Sequence, residues 1–336
     1  MAGRIAAYRA VNVPRAIIAA LLPILVGCVA PAQVAPKAAT VIGLIQGVSG
    51  DDATARTDAL RKGMDALGYN EGRDITLEVR YLEGQGNDRA AALTEELIRK
   101  GAAVIVTGNP AGVAGAMQAS KTIPIVMAGV SPDPVADGFV ASLARPGGNV
   151  SGLSLQVPTL PGRRLQLLKE IAGGTRLGVL HDGTLPATVN IALENAARTL
   201  GVQLEIVVVK DAGEIEGAIA SLRSAGIAAF HVNIGALFGI NMPRIARAAI
   251  DQRMASSFGV LEGARAGALF ALGPDQVDLY RRAATYVDKI LKGASPSGLP
   301  VEQPERFALL VNVRTAQALG VTVPDAILAQ ATEVIR

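Results

Sequence analysis

A chain of 336 residues, half of them apolar, is long enough for two cores of ordinary domain size. Aromatic residues make up only 3% and Trp is absent, so Val, Ile, Leu and Ala must fill those cores, as in parallel sheets covered by helices. The net charge of +3 comes from Arg4, Arg9 and Arg15; setting these aside leaves as many basic as acidic residues, and no basic stripe that would select nucleic acid.

Those three arginines precede an apolar run from Ala16 to Gly27. That is the length of an export signal and short for a membrane span. The chain is therefore expected to be exported, to the periplasm or the outer face of the cytoplasmic membrane. Cys28 is the single cysteine, which excludes an intrachain disulfide. It ends Leu25-Val26-Gly27-Cys28, a pattern like a bacterial lipobox. Two readings are open: a signal peptide over 1–27 with Cys28 lipidated, or cleavage after Ala30-Pro31-Ala32. The first makes 28–39 a tether.

From residue 40 short apolar runs alternate with helical patterns. Val41–Ile45 reads as a strand and Ala53–Leu67 as a helix closed by Gly68. Ile75–Tyr81 is a strand, Asn87 or Asp88 caps a helix to Lys100, and Ala103–Val106 is a strand. Pro110–Ser120 is a helix, Ile125–Met127 a strand, and a short helix is expected near Val135–Leu143. The stretch Pro146–Gly152, with Pro158 and Pro161 behind it, reads as a link. The alternation then restarts with strands at Arg176–Leu180, Leu204–Val209 and Ala228–Val232, and helices at Pro186–Leu200, Gly213–Ala225 and Met242–Gln252. Leu269–Leu272 is a strand, Asp275–Leu291 an amphipathic helix, Gly293–Pro304 a linker and Phe307–Val311 a strand, before two short helices.

Two β-α-β-α blocks predict an α/β protein of two Rossmann-like, doubly wound parallel-sheet lobes. The last elements are too few for a third domain. They are expected to complete the first two, placing 40–152 with about 275–297 in one lobe and 153–274 with about 305–336 in the other. Repeated crossings make a multi-strand hinge suited to closing on a ligand.

Several runs carry a resemblance: Gly63-Met64-Asp65-Ala66-Leu67-Gly68-Tyr69-Asn70-Glu71-Gly72, Ala128–Val135, Ser142–Ser154, Asp278–Ala284 and Leu299-Pro300-Val301-Glu302-Gln303-Pro304. In this order they resemble the ABC transporter substrate-binding family that includes tryptophan- and phenylalanine-binding members. The likeness runs from about residue 40 to 335. It implies a type I periplasmic-binding fold, a monomeric solute receptor partnered by a membrane permease, and no chemistry on the ligand.

Ligands of open parallel sheets bind beyond the carboxyl ends of the strands, where helix N-termini favour anions. The expected ligand-binding residues are Ser49, Thr107, Gly108, Asn109, Ala111, Ser131 and Asp133 on the first lobe, and Asp182 and Asn233 on the second. Thr107–Ala111 is the expected carboxylate cradle, and Gly108→Val there is expected to block binding without unfolding a surface loop. Helix capping accounts for the same residue types. Asp133 suits either a ligand ammonium or a cap on the helix after it. The resemblance also marks a departure: where many relatives carry an acid suited to an α-ammonium, this chain has Gly235. Asp182 or Asp133 can substitute, or the ligand has no amino group. His181 and His231, the only histidines, end neighbouring strands, facing the cleft or simply hydrogen-bonded there.

No catalytic residue, cofactor or metal is expected. Gly84-Gln85-Gly86-Asn87-Asp88-Arg89 has Arg where the dinucleotide fingerprint needs its third glycine, and no phosphate loop or nucleophile elbow occurs. Two other classes stay open: a ligand-loaded sensor component that presents its solute to a receptor, and a small-molecule enzyme on a Rossmann-like fold.

Overall fold

The computed structural model describes residues 38–336 apart from 48, 131–132, 156–158, 184–186 and 234. The leader, Cys28 and Ser131 lie outside the described residues.

The first sheet is built from β1 (Thr40–Gln46), β2 (Ile75–Tyr81), β3 (Ala102–Thr107), β4 (Ile125–Ala128) and β5 (Val150–Leu153). Its order is β2-β1-β3-β4-β5, with every pair parallel. The crossovers carry α1 (Asp51–Ala66), α2 (Asn87–Arg99) and α3 (Pro110–Ala119). Side chains alternate between faces along a strand, so β1 splits its apolar residues between two helical layers. Ile42 and Leu44 pack with Leu60 and Met64 of α1, while Ile45 packs with Leu93 and Leu97 of α2.

The second lobe begins with α4 (Leu160–Ala172) and continues through β6 (Arg176–His181), α5 (Ala187–Leu200), β7 (Gln203–Val208), α6 (Ile215–Ser224) and β8 (Ala229–Val232). Next come α7 (Ala236–Ile240), α8 (Met242–Asp251), β9 (Ala255–Phe258), α9 (Glu262–Arg265) and β10 (Phe270–Pro274). The chain then returns to the first lobe as α10 (Gln276–Leu291), whose Tyr280, Ala284 and Val287 join the core around α1. The two helices touch through Gly63, where a Cβ would lie 2.3 Å from the Arg281 carbonyl oxygen. The chain ends in the second lobe with β11 (Phe307–Asn312), α11 (Val313–Leu319), α12 (Asp325–Leu328) and β12 (Glu333–Ile335). The second sheet has the order β12-β11-β10-β9-β8-β6-β7; β11 runs antiparallel to β10 and the other pairs are parallel.

Three crossings join the lobes: the stretch after Leu153, Pro274–Gln276, and the stretch before Phe307. They are tied to one another. Ser154 N–H donates to the Glu302 carbonyl at 2.9 Å, Glu302 N–H to that of Gly152 at 2.9 Å, and Asp275 N–H to that of Arg306 at 3.4 Å. A hinge of three bonded segments bends more readily than it twists. The lobes also meet at both rims. Arg56 of α1 pairs with Glu262 of α9 at 3.1 Å, and Arg265 of α9 faces Asp52 of α1 at 3.6 Å. On the other rim a Cβ on Gly84 would lie 3.9 Å from Ile240 Cγ2.

Three local expectations differ from the structure. The stretch Val135–Leu143 makes turns and bends in place of a helix; Pro134 precedes it and Gly138 takes φ 73°, which helical backbone does not adopt. The supposed link after residue 149 contains β5 and α4, with Pro161 in the first helical turn, where proline's missing N–H costs nothing. The chain closes with β12 after its two short helices.

Candidate functional site

The contacts between the lobes come from segments beyond the carboxyl ends of β1 and β2 on one side and of β8 and β9 on the other: Arg56 with Glu262, and Gly84 near Ile240. On the first lobe, Thr107 ends β3 and is fully buried; its hydroxyl accepts from Asn109 N–H at 3.2 Å. Asn109 is extended, and its Oδ1 accepts from Ala111 N–H at 2.9 Å and Gly112 N–H at 3.3 Å. The side chain of Asn109 thus occupies the amides at the start of α3 that an anion would use.

Gly108 lies against the core. A Cβ there would sit 2.3 Å from the Tyr280 hydroxyl oxygen. That hydroxyl donates to Gln46 Oε1 at 3.1 Å, and Gln46 Nε2 donates to the Ala53 carbonyl and to Thr57 Oγ1, both at 3.1 Å. Burial pushes the Tyr280 phenol up to about 12, so it stays a donor. The expectation that Gly108→Val leaves the fold intact is therefore corrected: the position borders a buried hydrogen-bond network. Ser49 is exposed and its N–H meets Glu83 Oε1 at 3.2 Å. Asp133 Oδ1 accepts from Ala136 N–H at 3.0 Å, capping a turn in place of the expected helix.

On the second lobe Asp182 follows β6 and is 9% exposed. A Cβ on Gly235 would lie 1.6 Å from Asp182 Oδ2. The carboxylate of Asp182 thus fills the space a side chain at 235 would take, reaching it from the neighbouring strand. Asn233 follows β8 and is buried.

Both histidines are buried strand-end residues. His181 Nδ1 accepts from Gly183 N–H at 2.7 Å, which puts its proton on Nε2, 3.3 Å from the Asn190 amide. Asn190 Oδ1 lacks a partner as placed; flipping the amide turns that oxygen to the Nε2–H. His231 Nδ1 lies 3.0 Å from Ser257 Oγ. Both residues are fully buried, so this serine–imidazole pair is closed to substrate.

Burial, with the Arg164 charge adding to it, holds the His231 imidazole well below its ordinary value of 6.5. In the unfolded chain the same ring takes a proton below that value. Its contribution to stability is intact above pH 6.5 and is lost as pH falls, by at most about 1.4 kcal/mol per pH unit. Urea melts between pH 7 and 5 should show wild type losing stability more steeply than His231→Gln. Parallel slopes in the two proteins would mean that the buried ring titrates as in water.

Arg164 was not among the residues expected from sequence. It stands on α4, with Nε donating to the Leu272 carbonyl at 2.7 Å and Nη2 to that of Gly259 at 3.3 Å. These carbonyls lie at the carboxyl ends of β10 and β9. Burial pulls its pKa down to about 10. The apolar spacing of Leu160, Leu165, Leu168 and Ile171 after Thr159 was the signal for its helix, hidden by the nearby prolines. Among the described residues no group of acidic, histidine or cysteine side chains could hold a metal, and no helix is long and apolar enough to cross a membrane.

Three comparisons agree with this architecture. A tyrosine-binding protein of Clostridioides difficile is 25% identical over 281 residues, covering 83% of this chain and 80% of the relative. The structure of an ABC domain in complex with L-Trp from Streptococcus pneumonia superposes with a TM-score of 0.79 at 24% identity, covering 88% of this chain and all of that one. The ligand-free, open structure of a substrate binding protein with adhesive properties from Clostridium difficile gives 0.69 at 25% identity, covering 88% and 99%. Residues 41–335 match the profile of one family, described as ABC transporter substrate binding protein. With two lobes of the type I periplasmic-binding fold joined by a three-segment hinge, the chain belongs to that family of substrate-binding, non-enzymatic proteins.

Proposed function

We propose that this protein captures a small solute, an amino acid or other small carboxylate, between its lobes and delivers it to the membrane permease of an ABC transporter from outside the cytoplasm. The observation that carries this reading is that the lobes meet beyond the carboxyl ends of their strands, through Arg56 and Glu262. Ligand touching both lobes binds the closed state better and so drives closure. The solute sits between the loops of Ser49, Thr107–Ala111 and Asp133 on one side and those of Asp182 and Asn233 on the other. Asp182, seated where a side chain at 235 would point, accepts an ammonium or hydroxyl of the solute. The tyrosine named for the Clostridioides relative and the L-Trp in the pneumococcal structure support an amino acid. Lipid on Cys28 holds the protein at the membrane.

Native mass spectrometry of the purified protein tests the capture. One small molecule should be bound per chain and should be released with its mass unchanged after prolonged incubation. Conversion of the bound compound, abolished by a substitution in the cleft, would make the protein an enzyme.

A further inference from the structure

Arg164 has more hydrogen-bonding capacity than its partners among the described residues use. A guanidinium carries five N–H donors. Two are bonded, to Leu272 and Gly259, and both acceptors are neutral carbonyls. Among the described residues no carboxylate pairs with it. A largely buried cation is ordinarily paired, because leaving water without a counter-charge costs several kcal/mol.

The groups beside it point to what fills that role. His231 is close enough to feel the Arg164 charge. The Asn233 side chain reaches the His231 ring, and the two residues are 4% and 0% exposed. When Ser257 donates to His231 Nδ1, the proton of this neutral ring sits on Nε2. That Nε2–H meets the Asn233 amide oxygen, which leaves the Asn233 NH₂ and three N–H groups of Arg164 as donors without a partner among the described residues. On the other lobe the start of α3 is already capped by Asn109 Oδ1.

We propose that Arg164, at the carboxyl edge of the second sheet, is the anchor for a carboxylate of the solute, with Asn233 as an accompanying donor. This rests on the solute-binding reading and moves the anionic end of the ligand from the first lobe to the second. A carboxylate accepts two parallel N–H bonds from a guanidinium fork, which a neutral ligand group cannot match.

The test is thermal-shift and calorimetric titration of the purified protein with a fixed panel. It comprises the twenty L-amino acids, tryptamine and tyramine without the carboxylate, indole-3-propionate without the amine, and uncharged myo-inositol. Binding should be confined to members with a carboxylate. For the tightest of them, Arg164→Gln should weaken binding about 100-fold and Arg164→Lys less, with the free proteins still folded by circular dichroism. Binding of an amine or of myo-inositol as tight as that of any acid overturns the carboxylate anchor and leaves the capture of solutes standing. Wild-type affinity in folded Arg164→Gln overturns it too. No binding by any member, together with no co-purified molecule in native mass spectrometry, removes both readings. If Arg164→Gln does not fold, the comparison of acids with amines in wild type decides.

Discussion

Replacing Gly108 by Val should cost the first lobe about 3 kcal/mol or more, lowering the melting temperature by about 5–10 °C. Even the Cβ would overlap the Tyr280 hydroxyl, and two methyl groups beyond it have no room. Tyr280 is 2% exposed and is held by Gln46, which in turn fixes Ala53 and Thr57 at the start of α1. Moving the ring leaves buried donors and acceptors unpaired, each at about 1–3 kcal/mol. Asn109→Ala, by contrast, removes a helix cap worth about 1 kcal/mol and should shift the melting temperature by a few degrees. Differential scanning calorimetry of both variants measures this. A Gly108→Val protein as stable as wild type would mean that Tyr280 does not pack on this loop.

That contrast shows where sequence reasoning reached and where it stopped. The buried parallel strands and amphipathic helices were legible because periodicity is local. Asn109 before Pro110 was legible as a cap for the same reason. Gly108 was misjudged because its neighbour, Tyr280, lies 172 positions away on a helix that returns from the other lobe. Arg164 was missed because Pro158 and Pro161 made its helix look like linker. The seating of Asp182 over Gly235 needs the adjacency of β6 and β8, which strand order supplies and sequence order does not.

Cys28→Ser should abolish lipid labelling and shift the protein wholly from the membrane to the soluble fraction. The expectation rests on the Arg-bearing leader, the apolar run and the single cysteine at its end. Buried acyl chains contribute about 0.8 kcal/mol per CH₂, so their loss leaves nothing comparable to hold the chain. Metabolic labelling with a fatty acid, followed by fractionation, gives the answer. Wild type recovered entirely soluble, with Gln33 at its N-terminus, would show that the leader is cut beyond the cysteine.

The central claim is that the solute lies between the lobes and draws them together. Spin labels at Arg89→Cys on α2 and Gly239→Cys on α7, in a Cys28→Ser background, sit on exposed positions of opposite lobes near the rim where Gly84 meets Ile240. Electron–electron double resonance should give a broad distance distribution without solute. A shorter, narrower one is expected once the compound identified by native mass spectrometry is added to saturation. One-to-one binding seen by calorimetry, with the label distances unmoved, would place the solute outside the cleft and contradict the account.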